Sequence, residues 1–292
     1  MPLSDWLPQP LRVAVQGATG FQGRRHIALM KAYGTNIVAG VSPRAVADVD
    51  GVPIFTTLRA AREATGVNAS IVFLPAPLLA EGIIEALDQE LPLVVAVTEG
   101  APLHDMFAVR RRLETSKARL IGPNTPGLLT PQAKLGFFPH EATMPGDLVL
   151  VTRSGTLSYE VASALREKGL GLRYWIGIGG DPVKGTTFED VVIAARDEPG
   201  ITGIVIVGEI GGTGEEDAAA ALRAHPPSIP VFALIAGASA PPGIKMGHAG
   251  AMVNARAGDY AGKVEALRAA GVNVLASPTA LARTAKEALL GV

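Results

Sequence analysis

LRVAVQGATGFQG, residues 11–23, opens as a short apolar run, breaks into a glycine-rich turn and continues into a segment of helical character. Gly17, Gly20 and Gly23 fall at the spacing G-x-x-G-x-x-G. Glycine permits the tight turn and lets backbone N–H groups approach a phosphate at the start of a helix. The stretch therefore predicts a strand, a phosphate-binding turn and a helix. The spacing alone serves many nucleotide ligands, and a nicotinamide dehydrogenase is the first comparison it invites.

The same alternation continues along the chain. NIVAGV (36–41), SIVFLP (70–75), LVVAVTEG (93–100) and RLIGPN (119–124) are separated by segments of helical length. A second series follows: DLVLVTRSG (147–155), YWIGIGGD (174–181), GIVIVGEIGG (203–212), PVFALIAG (230–237) and NVLASPT (273–279). Alternating strand and helix signals predict α/β architecture with parallel sheets and helices on both faces. LLTPQAKLGFFPHEATMPG, residues 128–146, carries three prolines and little periodicity. It is expected to be a connector with one short strand at KLGFF. The predicted units are 1–128, a connector over 129–146, and 147–292. Nearly every strand runs into a polar or glycine-rich loop, and in open α/β sheets ligands bind beyond the carboxyl ends of the strands.

Composition narrows the ligand class. The 292 residues are 48% hydrophobic and 18% charged, with 26 Lys and Arg against 27 Asp and Glu. That excludes general disorder and offers no basic field for nucleic acid or an anionic membrane. Mean hydropathy is +0.30, carried by short aliphatic blocks that read as strands buried on both faces. No apolar stretch is long enough for a spanning helix, and no basic segment followed by an apolar run opens the chain. Cysteine is absent, which removes disulfides, thiol nucleophiles and thiolate metal sites and fits a reducing, cytoplasmic setting. No metal site is expected on this chain.

The loops carry the chemistry. A dinucleotide fold specific for NAD places an acidic residue after its second strand. Here the chain reads Val41-Ser42-Pro43-Arg44, a hydroxyl and a cation that suit a phosphate. NADP and coenzyme A both satisfy that reading, and a solvated loop cation is the plain alternative for Arg44. In the second half, Ser154 and Thr156 stand where a strand meets a helix, an anion site or, more simply, an N-cap. GIGGDP (177–182) and GEIGG (208–212) each follow a buried strand, and His248 lies between glycines in KMGHAGA (245–251).

These motifs, in this order, resemble the succinyl-CoA synthetase α subunits of the NDP-forming acyl-CoA ligase superfamily. The resemblance rests on QGATGFQG, AYGTNIVAGVSP, VTEGAP, IGPNTPG, TRSGTLSYE, GIGGDPVKGTTFED, GEIGGTGEEDAAA and KMGHAGA, and spans nearly the whole chain. It implies an N-terminal Rossmann-like CoA-binding domain and a C-terminal flavodoxin-like ligase domain. It also implies a phosphorylated histidine at His248, a carboxylate partner at Glu209, CoA contacts at Thr19, Gly20, Phe21, Gln22, Val97, Thr98 and Glu99, and a substrate-linked tyrosine at Tyr159. The nucleotide, ATP or GTP with Mg²⁺, is implied to bind a separate β subunit with an ATP-grasp domain, in an αβ or α2β2 assembly. The acid is implied to be succinate; malate or another small dicarboxylate is the alternative.

The residue chemistry is compatible. Imidazole is a competent nucleophile near neutral pH, and a carboxylate at its other nitrogen fixes the tautomer and steadies the cation. Glu209 is the only acid in the GEIGG loop, and Ser154 and Thr156 are placed to hold a phosphate once formed. The sequence also departs from the family pattern. The family's CoA-binding lysine is replaced at Ala45, with Arg44 as the neighbouring cation, and its cysteine in the GPN loop is Thr125. Pro139-His140-Glu141 and residues 252–257 differ near the acid and histidine regions. A CoA- or NADP-binding paralogue without ligase activity is the competing reading from another class.

Overall fold

The computed structural model describes residues 1–44, 46–240 and 258–291. The first half runs β1 (Val13–Gln16), α1 (Phe21–Tyr33), β2 (Ile37–Val41), β3 (Asp48–Val49), β4 (Val52–Phe55), α2 (Leu58–Thr65) and β5 (Ala69–Val72). It continues through α3 (Ala76–Asp88), β6 (Leu93–Ala96), α4 (Leu103–Glu114) and β7 (Arg119–Ile121). Every residue of β1, β5 and β6 is buried, as parallel strands covered on both faces must be. In α3 the buried residues Leu79, Ala80, Ile83, Ala86 and Leu87 recur at helical spacing and line one face.

The sheet order is β3-β4-β2-β1-β5-β6-β7. Its six parallel strands have the dinucleotide-fold order 3-2-1-4-5-6, with the order reversing between β1 and β5. Among the described residues of this sheet, only the β3–β4 hairpin at one edge is antiparallel.

The second half contains β8 (Gly127–Leu129), β9 (Lys134–Gly136), β10 (Pro145–Thr152), α5 (Gly155–Glu167), β11 (Leu172–Gly177) and α6 (Phe188–Arg196). It ends with β12 (Gly203–Glu209), α7 (Gly214–Ala224), β13 (Val231–Ala236), α8 (Tyr260–Ala269), β14 (Asn273–Leu275) and α9 (Pro278–Leu290). The order is β14-β13-β12-β10-β11-β8-β9. Its parallel part has the flavodoxin-like order 2-1-3-4-5 and reverses between β10 and β12. The two sheets are thus mostly parallel. The short strand expected at KLGFF is present as β9, which pairs antiparallel with β8; β8, straddling the expected boundary at 128, adds antiparallel to β11. β8, three residues long, shows too little alternation to be seen in sequence. Among the described residues no helix is long and apolar enough to cross a membrane.

The junction between the sheets decides where a site can form. One core cluster runs from Val13 and Ile71 in the first sheet to Ile176 and Ile204 in the second. Above it, the loop 122–126 packs against the loop after β11. Asn124 O accepts from Gly180 N at 3.1 Å, Gly122 O accepts from Gly185 N at 3.0 Å, and Thr125 Oγ1 donates to Gly177 O at 2.5 Å. Gly179 has φ +93°, and a Cβ there would lie 2.0 Å from Pro123 O. No side chain fits that position without separating the loops. Gly179→Ala is expected to cost about 1–3 kcal/mol through overpacking alone, read as a lower thermal midpoint. An unchanged melting profile would contradict this packing.

Candidate active site

The first sheet gathers the expected CoA residues at one edge. β1, β2, β5 and β6 are parallel neighbours, so residues 17–23, 42–44 and 97–99 leave from their carboxyl ends. Gly17 has φ +79°, and a Cβ there would meet Phe73 O at 2.8 Å; only glycine lets the turn pass so close to the neighbouring strand's exit. Gly20 starts α1 with no side-chain cap, which leaves the first N–H groups of a 13-residue helix without that partner. Anions favour such a terminus. Gly20, Phe21, Gln22, Arg44 and Glu99 are exposed, while Thr19, Ser42 and Val97 are buried. The Thr19 and Ser42 hydroxyls meet at 2.6 Å, and Ser42 Oγ accepts from Arg44 N at 3.2 Å. Ser42 therefore shapes the turn. Arg44 is the exposed cation beside it. Thr98 Oγ1 donates to Leu74 O at 2.7 Å, which fixes the third segment.

From this edge the chain leads to the second sheet. Asn124 N donates to Thr98 O at 3.0 Å, and Asn124 Nδ2 donates to Asp181 Oδ1 at 2.9 Å. At the reversal point of the second sheet, Arg153 follows β10 and Glu209 ends β12. Arg153 Nε lies 3.3 Å from Glu209 Oε1, and Arg153 Nη1 lies 3.5 Å from Glu215 Oε1, with the arginine 5% exposed. Glu215 Oε1 also accepts from Glu209 N at 3.0 Å. Its other oxygen takes Lys263 Nζ at 2.5 Å, and both side chains are fully buried. Desolvated charges persist only when paired, and here each lies within ion-pair distance of an opposite charge.

Ser154 and Thr156 lie at the start of α5 beside this cluster. Ser154 Oγ caps the helix by accepting from Leu157 N at 3.4 Å, while Thr156 is exposed. The plain N-cap reading of Ser154 thus holds for its hydroxyl. Tyr159 lies one turn further on, half-buried against the rings of Phe138 and Trp175, and burial pushes its phenol pKa up. Two sequence-derived positions, His248 and Ala45, lie outside the described residues. The described flanks of 241–257 are informative, however. Ile210 N donates to Ala236 O at 3.1 Å, and Gly211 N donates to Gly258 O at 2.7 Å. The chain leaves and returns beside the Glu209 loop.

Arg153, Glu215, Lys263, Asp181 and Lys184 complete the cluster without having been singled out from sequence. Arg153 stood inside the TRSGT motif, where a cation between a buried strand and a helix cap was a usable signal. Glu215 in a first helical turn and Lys263 on a helix both read as solvated charges. A cavity of about 660 Å³ adjoins the cluster, lined among others by Phe107, Arg110, Arg153, Asp181, Lys184 and Thr213. Burial and the neighbouring Arg153 guanidinium lower the Lys184 amine from 10.5 to about 8, against the attraction of Glu215, Glu209 and Asp181.

Comparison with known proteins matches the two halves separately. A CoA binding domain model matches residues 8–100 and a CoA-ligase model matches residues 151–273. The chain is similar to the succinate–CoA ligase [ADP-forming] subunit alpha of Aquifex aeolicus (strain VF5), 44% identical over 95% of this chain and 92% of the relative. It is likewise similar to the protein of that name from Staphylococcus aureus (strain Mu50), 42% identical over 98% of this chain and 95% of the relative. Among solved structures, ATP citrate lyase from Methanothrix soehngenii superposes with a TM-score of 0.84 at 23% identity, over 96% of this chain and half of that one. That likeness concerns the fold.

The Lys184 amine makes a measurable demand. Its folded pKa lies below the unfolded value, so the unfolded chain holds the proton more tightly and stability rises as pH climbs from about 8 to 10.5. Lys184→Met is expected to raise stability at pH 7 by on the order of 1–3 kcal/mol. The gap should shrink across that alkaline window in parallel melting curves. A gap independent of pH would contradict the burial of this amine.

Proposed function

The chain belongs to the family of succinate–CoA ligase α subunits, and from that membership we propose that it is the CoA- and phosphohistidine-bearing half of a nucleotide-dependent acid–CoA ligase. The observation that carries this reading is the Arg153–Glu209 pair at the reversal point of the second sheet, beside which the chain leaves and returns around the segment containing His248.

In this reading the terminal phosphoryl group of ADP-forming chemistry passes from the nucleotide to an imidazole nitrogen of His248, and the nucleoside diphosphate leaves. Glu209 accepts a hydrogen bond from the other ring nitrogen and steadies the cation. A carboxylate oxygen of succinate then attacks phosphorus, the P–N bond breaks, and succinyl phosphate forms. The CoA thiol loses its proton and attacks the acyl carbon, and inorganic phosphate departs. Ser154 and Thr156 at the head of α5 favour the phosphate through the N–H groups there, and Tyr159 lies on the same helix. Residues 1–128 bind CoA through Thr19, Gly20, Phe21, Gln22, Val97, Thr98 and Glu99. Ser42 shapes that turn, and Arg44 meets the ribose phosphate in place of a lysine at Ala45. Residues 147–292 form the ligase unit.

The nucleotide and Mg²⁺ belong to a β partner with an ATP-grasp domain, in an αβ or α2β2 complex. Phosphoryl transfer needs a clamp on the moving group, and the sequence has no G-x-x-x-x-G-K-[ST] loop. The α–β complex incubated with γ-labelled nucleotide is expected to carry acid-labile, base-stable label. His248→Asn should abolish it, and the chain alone should take up none. Label retained in that variant would overturn the assignment.

Calorimetric titration should rank CoA above dephospho-CoA, NADP and NAD. Arg44→Ala should weaken CoA by about tenfold, the scale of one charge-assisted hydrogen bond, while leaving dephospho-CoA unchanged. Preference for NADP would move the first domain to dehydrogenase chemistry.

A further inference from the structure

Building on the reading of Glu209 as the partner of the reacting histidine, we propose that Arg153, Glu215 and Lys263 form a buried positioning relay that sets Glu209 for phosphohistidine formation. Two contacts among the described residues restrain Glu209. Its backbone N–H donates to Glu215 Oε1 at 3.0 Å, and its carboxylate lies 3.3 Å from Arg153 Nε. Both restraints converge on Glu215, because Arg153 Nη1 also lies 3.5 Å from Glu215 Oε1. A carboxylate that anchors the main chain of Glu209 and the cation facing its side chain fixes where that side chain can point.

Glu215 is itself fixed. Its Oε2 takes Lys263 Nζ at 2.5 Å; the same ammonium donates to Glu216 Oε2 at 2.7 Å and Gly212 O at 2.9 Å. Three acceptors meet the three donors of a lysine. Gly208, the residue before Glu209, makes room for this carboxylate: a Cβ there would lie 2.7 Å from both Glu215 Cγ and Oε1. The relay also reaches Gly258, where the described chain resumes. Arg153 Nη1 donates to Gly211 O at 2.8 Å, and Gly211 N donates to Gly258 O at 2.7 Å, the first described residue after 241–257. One guanidinium therefore faces the Glu209 carboxylate and bonds Gly211, the residue whose N–H holds Gly258.

Stability does not explain this arrangement. Well-packed apolar groups hold a core as well as buried ion pairs do, while groups that act on a reacting atom must be oriented by their neighbours. The relay sits at the sheet's reversal point, where orientation has a use.

The experiment uses the full α–β complex and compares parent, Glu215→Gln, Lys263→Met and the double variant. Each single change removes one partner from a buried charge and lowers the thermal midpoint. The double change removes both members of the pair, so its midpoint returns toward the parent while Glu216, partly exposed, turns to solvent. Phosphohistidine formation at saturating nucleotide should nevertheless be on the order of 10–100-fold slower in the double variant, the usual effect of losing an orienting partner. Its CoA affinity, set on the other sheet, should match the parent. A double variant that recovers both stability and the parent's phosphorylation rate would reduce the relay to packing and overturn the inference. If the double variant does not fold, Arg153→Lys decides: it keeps the charge and loses the fork, so a comparable slowing is expected, and a parent-like rate refutes the relay. A parent complex that takes up no label, or a His248→Asn variant that keeps it, would instead defeat the functional reading and this inference with it.

Discussion

A guanidinium shared between two buried carboxylates at the reversal point of a parallel sheet is the constraint on which this site depends. β10 and β12 run side by side, and their helices depart to opposite faces, so a crevice opens where the strands end. Arg153 and Glu209 stand one on each side of it. Desolvating either alone would be costly; together with Glu215 and Lys263 they form a chain of alternating opposite charges. The strands must keep their register for these groups to meet, and the groups in turn hold the ends of the strands.

The same dependence extends across the junction. The glycine-rich turns belong to the first sheet and the charge cluster to the second, and on the proposed function a thiol bound at one must reach a phosphate held at the other. Asn124 joins them through its bonds to Thr98 and Asp181. Gly179 allows the two loops to touch at backbone distance. A transfer that demands near-contact of reacting atoms cannot tolerate loose domains, and the continuous core beneath the loops supplies the rigidity.

The sequence was legible where local physics decided structure. Runs such as VAVQ, ASIV and LVVA are buried on both faces, so their composition announced them. The glycines of 17–23 announced a turn against a neighbouring strand. Glu209 was legible as the lone acid of a glycine loop. β3 and β8 were not, because they are two or three residues long, whereas β9 falls within the KLGFF run where a short strand is expected. Lys263 was least legible. A lysine on a short helix ordinarily faces water, and only tertiary packing of α8 against α7 brings it to Glu215.

This last case shows why the motif order along the chain told more than any motif singly. GEIGG and TRSGT are distant in sequence, and neither specifies the other. Their meeting follows from strand order: the strand ending in Thr152 pairs directly with the strand ending in Glu209. Any chain that keeps the 2-1-3-4-5 order delivers these two loops to the same crevice, whatever surrounds them. What it does not deliver is the direction of the carboxylate. That requires a residue committed to holding it, and Glu215, fully buried and bonded to the backbone of Glu209 itself, is placed to do so.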